Sequence, residues 1–169
     1  LEKGKYSNEC GKQDQYSSSH GGLNYFIFKK KNTVEVNKIK LSPFLKKNLE
    51  DNLMLIYTGM IHNSTKNLIE QKKNYNKAKF KVLMQLSELS RILYKNFSRG
   101  KLDDFGKILS ESWSLKRQLS NSISNYKIDQ IYNEVLNLGA EGGKLLGSGG
   151  GGFLLFYVKK NKKKKIKEK

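Results

Sequence analysis

Two unbroken apolar runs, Leu53-Met54-Leu55-Ile56-Tyr57 and Phe153-Leu154-Leu155-Phe156-Tyr157-Val158, bracket about a hundred residues of largely helix-period sequence. Runs of this kind fit strands covered on both faces, so each is predicted to be an interior strand. Between them, Val82, Leu86, Leu89, Leu93 and Phe97 recur at spacings of three and four, as do Leu102, Phe105, Leu109 and Trp113. That period predicts two amphipathic helices, split at Arg99-Gly100. A third helix is expected over about 125–138, with Ile128, Ile131, Tyr132, Val135 and Leu138 on one face and Gly139 placed to stop it. Upstream, 23–28 and 33–39 read as a strand pair across a polar turn. Pro43 marks a break before the ambiguous segment 44–49. Strands and helices interleave with helices in the majority, which indicates a layered domain of α/β or α+β type.

A chain of 169 residues suffices for one compact domain. It starts at Leu1 and ends in a lysine run, so a fragment is expected. Thirty-three basic residues face fifteen acidic ones, a net charge of +18, which invites a nucleic-acid reading. Eight lysines and one glutamate in 159–169 carry seven of those eighteen charges, and that tail is expected to be disordered. The rest is spread over the body without an Arg-rich stripe, an aromatic RNA-binding motif or a Cys/His finger, which disfavours nucleic acid as a partner. The one cysteine, Cys10, makes no internal disulfide and no metal cluster is legible, so a reducing cytoplasm is expected. No run approaches the ~20 apolar residues that span a bilayer, and no membrane partner is expected.

Two segments carry chemistry. The stretch Gly147-Ser148-Gly149-Gly150-Gly151-Gly152 is a low-complexity linker or a loop facing an anion. Core-type segments abut it directly on both sides, which favours the loop, because consecutive glycines allow close backbone approach and can aim N–H groups at a phosphate. It is not a Walker loop, since Lys144 precedes the glycines, and a strand rather than a helix follows. The second segment is Cys10-Gly11-Lys12-Gln13-Asp14-Gln15-Tyr16 with Gly21-Gly22 beyond it. Taken alone, Asp14 would be a solvated surface carboxylate.

The stretch Gly139-Ala140-Glu141-Gly142-Gly143-Lys144-Leu145-Leu146 through the glycines to Phe156 resembles the third motif of the GHMP kinase superfamily, most of all that of heptose 7-phosphate kinases. The segment around Asp14 resembles the motif bearing the aspartate that faces the sugar hydroxyl, and the likeness runs from about Gly11 to Val158. The resemblance implies an α+β fold: a remnant of the catalytic-Asp domain over 1–41, the C-terminal domain, helices on a small mostly antiparallel sheet, over 42–158, and the tail 159–169. It implies an ATP-dependent sugar kinase, with Mg²⁺, acting on the anomeric hydroxyl of D-glycero-D-manno-heptose 7-phosphate. Asp14 would be catalytic, orienting the hydroxyl and accepting its proton. Residues Gly147, Ser148, Gly149, Gly150, Gly151 and Gly152 would lie near the phosphates, and Gly21, Gly22, Lys116, Arg117 and Lys144 would meet the substrate. His20 is read as structural rather than as a second base.

The family's Pro-x-x-x-Gly-Leu-Gly-Ser-Ser loop, on which the nucleotide phosphates mainly rest at a helix N-terminus, does not occur in this sequence. The expectation is therefore a fragment inactive alone, a split or decayed kinase or part of a longer one, with a separate N-terminal half as one source of the nucleotide loop. The competing expectation is a non-catalytic module that binds a partner protein or RNA, with the lysine tail as anchor.

Overall fold

The computed structural model describes residues 12–61 and 76–168. Cys10 and Gly11, which open the Asp14 motif, lie outside them, as does Lys169. The described chain begins with α1 (Gln13–His20) and the hairpin β1 (Asn24–Phe28) and β2 (Val34–Lys38), paired antiparallel with Phe26 opposite Val36. Next comes α2 (Pro43–Asn52), where the Ser42 hydroxyl accepts from the Leu45 N–H at 3.3 Å and Pro43 takes the first turn, whose N–H would be unpaired anyway. The strand β3 (Leu53–Tyr57) leads towards α3 (Lys77–Ser98), α4 (Phe105–Arg117) and α5 (Tyr126–Asn137). The chain closes with β4 (Gly142–Leu145), β5 (Phe153–Tyr157), a 3-10 turn Lys160–Lys162 and α6 (Lys163–Lys167). The second sheet runs β3-β5-β4, antiparallel throughout, so the fold is α+β with helices packed on small antiparallel sheets.

Alternation along β5 divides the core. Leu154 and Phe156 enter one cluster with Trp113, Ile123, Ile128, Tyr132, Val135 and Leu145. Leu155 and Tyr157 face a second, built on Leu49, Phe97, Leu102, Phe105 and Leu109. Each buried side chain of this size contributes about 1.5–3 kcal/mol relative to an exposed one. The helical period is realised as expected, with Val82, Leu89 and Phe97 on the buried face of α3. Leu23, Ile39 and Leu41 join the second cluster, and Tyr25 stacks on Tyr94 with centroids 4.6 Å apart, so the N-terminal hairpin leans on α3.

Three expectations are corrected. β5 is covered on both faces, but β3 is an edge strand with Leu55 58% and Tyr57 52% exposed. The segment 142–145, expected only as a lead-in to the glycines, is a strand. The tail is ordered as far as described: Ile166, 7% exposed, joins the first cluster, and the Lys163 ammonium donates to the Leu53 carbonyl at 2.6 Å. Composition predicted repulsion among the lysines, but one isoleucine at helical spacing anchors the segment. Lys159, Lys160 and Lys164 pair with Glu141, Asp51 and Glu168.

Candidate functional site

The glycine loop is positioned by a close helix–strand contact. A Cβ built on Gly106 of α4 would meet the Glu141 Cβ at 2.8 Å, and one on Gly142 would overlap the Gly106 carbonyl. Only glycine permits this approach. It lets the Ser110 hydroxyl accept from the Gly143 N–H at 3.2 Å and engage the Tyr132 hydroxyl at 2.8 Å, while Tyr132 donates to the Gly143 carbonyl at 3.2 Å. Strand β4 is thereby clamped to α4 and α5, and the loop leaves from its end.

The loop itself is strapped to the body. The Gly150 N–H donates to the Ile123 carbonyl at 2.9 Å and the Gly152 N–H to the Met60 carbonyl at 3.0 Å. The Thr58 N–H and hydroxyl both donate to the Gly152 carbonyl at 2.9 Å. Gly149, with φ 107°, would place a Cβ 2.7 Å from the Ile123 Cα, and Gly151 would place one 2.7 Å from the Met60 carbonyl oxygen. The closest backbone approach in the loop is thus to the protein's own chain. Two of the amides expected to face a phosphate are spent on protein carbonyls.

At the root of the loop two lysines converge. Lys116, in the last turn of α4, donates to the Gly147 carbonyl, and Lys144 of β4 donates to the Ser112 hydroxyl at 3.2 Å. Burial, with a smaller contribution from the Lys144 charge, lowers Lys116 to about 8 from its ordinary 10.5. Burial also lowers Lys144. Arg117 is differently engaged: it meets Asp129 at 3.2 Å and lies over the Trp113 ring, 5.7 Å from its centroid. Ser112 and Ser110 carried no signal in the sequence, since serines on a helix are ordinarily surface residues.

Asp14 is exposed in the first turn of α1, and among the described residues it makes no hydrogen bond or ion pair. Its helix rests on β1 through Tyr16, whose ring meets Phe26 and Phe28 edge-on. His20 bonds the Tyr16 carbonyl through Nδ1 at 3.0 Å and stacks on the Tyr16 ring, in keeping with a structural histidine. Gly21 and Gly22, with φ 57° and 70°, turn the chain from α1 into β1, and the Asn24 amide fixes the turn by donating to the Gly21 carbonyl at 2.7 Å. No hydrogen bond joins Asp14 to the glycine loop among the described residues.

A small antiparallel sheet lies under helices, with a glycine loop between its last two strands. Residues 93–169 match the family model described as GHMP kinases C terminal. It is 29% identical over 141 residues to the D-glycero-alpha-D-manno-heptose 7-phosphate kinase of Campylobacter jejuni, covering 82% of this chain and 41% of that protein. Among solved structures, a D-glycero-D-manno-heptose 1-phosphate kinase from B. thetaiotaomicron superposes with a TM-score of 0.65 at 23% identity, over 93% of this chain and 41% of its own. L. major mevalonate kinase in complex with R-mevalonate superposes with a TM-score of 0.66 at 19% identity, over 92% and 46%. The structural likenesses speak for the fold. The chain spans about two fifths of the length of the curated relative.

Proposed function

We propose that this chain forms the acceptor side and glycine loop of an ATP-dependent sugar kinase that phosphorylates the anomeric hydroxyl of D-glycero-D-manno-heptose 7-phosphate. The observation that carries this reading is Asp14: an exposed carboxylate free of internal partners among the described residues, followed by the left-handed Gly21-Gly22 turn. It stands in a chain whose curated relative is named a D-glycero-alpha-D-manno-heptose 7-phosphate kinase. In phosphoryl transfer the protein mainly positions groups and stabilises charge. Asp14 holds the sugar hydroxyl in line and accepts its proton as the oxygen attacks.

Gly150 and Gly152 spend their N–H groups on the chain itself, which leaves fewer loop amides for a triphosphate. In this reading ATP and Mg²⁺ are held mainly by a loop outside this stretch, for which a separate N-terminal half is the proposed source, and the stretch alone is inactive. In this reading 1–41 belongs to the catalytic-Asp domain and 42–158 to the C-terminal domain.

The test is phosphoryl transfer from ATP to heptose 7-phosphate by the chain alone, by the chain with a GHMP N-terminal half, and by the same pair carrying Asp14→Asn. The lone chain is expected to be silent and the pair active. The amide should cost about 10²–10⁴-fold in kcat. Turnover by the lone chain overturns the split, and an undiminished Asp14→Asn pair removes Asp14 from the mechanism.

A further inference from the structure

We propose that Lys116 and Lys144 together form a receptor for one dianionic phosphate group, set between the end of α4, strand β4 and the root of the glycine loop. The inference rests on the kinase reading only for the carrier of that phosphate, either a phosphorylated sugar or the terminal phosphate of a nucleotide.

Counter-charge is the first argument. Among the described residues, Arg117 has Asp129, Lys159 has Glu141 and Lys160 has Asp51, whereas neither Lys116 nor Lys144 has a carboxylate. Each makes one hydrogen bond, to the Gly147 carbonyl and the Ser112 hydroxyl respectively. An ammonium carries three donors, so two remain on each. Two like charges partly withdrawn from water without a counter-ion are costly. A phosphate monoester, close to −2 above its second pKa near 6, would neutralise both and take up the remaining donors.

Geometry is the second. Ser112 and Lys116 sit one helical turn apart on α4, and Lys144 reaches them from β4 because Gly106 and Gly142 let helix and strand approach closely. The entrance is open: nothing lies within 4 Å of the position a Gly147 Cβ would take. A side chain at 147 would stand in that opening beside the carbonyl that orients Lys116.

Titration supplies a signature. The charged neighbour of Lys116 is Lys144, while the loop offers a carbonyl and α4 a hydroxyl. With Lys116 lowered to about 8, the empty site loses a proton above that pH. A bound dianion restores the proton, so affinity should fall as pH rises from 8 towards 10.

The test is a titration of the ¹⁵N-labelled chain with inorganic phosphate, glycerol 3-phosphate and tripolyphosphate at constant ionic strength. Saturable shifts are expected, centred on Gly147 and Ser148. Affinity should weaken about tenfold or more in Lys116→Met and in Lys144→Met, and Lys116→Arg should bind without the fall above pH 8. Tighter glycerol 3-phosphate assigns the site to a sugar phosphate, and tighter tripolyphosphate to a nucleotide. Shifts that never saturate, that centre on 159–168, or that persist unchanged in both methionine variants overturn the proposal. Should a methionine variant not fold, the wild-type map and Lys116→Arg decide. The titration needs no turnover, so phosphate binding by a chain that stays inactive even when paired with the N-terminal half would sink the kinase reading and leave the receptor standing.

Discussion

Gly106 of α4 and Gly142 of β4 touch backbone to backbone, with no room for a Cβ on either. That contact sets the height of the helix above the strand, and with it the reach from Lys144 to Ser112.

Gly142→Ala should therefore destabilise the fold by about 3 kcal/mol or more, because the new methyl meets a backbone carbonyl rather than a side chain that can turn away. Gly106→Ala should cost about 1–3 kcal/mol. Gly147→Ala meets open space, so its cost should be only the left-handed backbone penalty of about 1–2 kcal/mol at φ 72°. Urea unfolding of the three variants measures this order, and equal losses would show that the close approach is not what glycine supplies.

The ordered tail gives a second test. Ile166→Ala should cost about 2–5 kcal/mol by leaving a cavity under the first cluster. Truncation after Val158 should also lower Tm, since it removes Ile166 together with the Lys163 bond to Leu53. An unchanged Tm in both would mean that the tail does not pack in solution.

Tyr132→Phe should destabilise by about 1–3 kcal/mol, because it leaves the Gly143 carbonyl and the Ser110 hydroxyl short of a partner in a buried setting. Tyr126→Phe, on an exposed ring, is the control and should change little. Denaturant midpoints distinguish the two.

Lys116 makes stability depend on pH with a definite sign. Its folded value, about 8, lies below the ordinary 10.5, so between those limits the unfolded chain holds more protons and stability rises with pH. Lys116→Met should be more stable than wild type near pH 7, and its advantage should shrink towards pH 10. Phosphate should narrow the gap at pH 7 if the receptor exists. Paired denaturation curves at pH 7 and 10 read both effects, and a pH-independent difference would remove the titration argument.

Much of this architecture was legible where periodicity was strong. The three long helices and β1, β2, β3 and β5 fall where the sequence places them, and the motif likeness points the same way as the family model that matches residues 93–169. β4 was missed because Gly142-Gly143-Lys144-Leu145 has neither β-branched residues nor alternation; its glycines answer to a helix remote in sequence. β3 misled in the other direction, since an apolar run says nothing of whether a neighbour covers Leu55 and Tyr57. The tail was judged on net charge, which cannot register one isoleucine meeting a core. In the glycine loop, composition speaks for close backbone approach, and the folded chain adds that Gly149 and Gly151 pack against Ile123 and Met60. Lys116 and Lys144 could be singled out as cations, but their lack of a carboxylate partner among the described residues is a property of the folded chain.

The Thr58 hydroxyl and the Gly152 carbonyl are 94 residues apart in sequence. Contacts at such separation pay the loop-closure entropy of everything between them, and chains dominated by them fold slowly. The glycine loop therefore cannot take its shape as a local unit. During synthesis Thr58 and Met60 emerge long before the glycines they will hold and Ile123 only shortly before, so the loop's geometry waits on the arrival of β5.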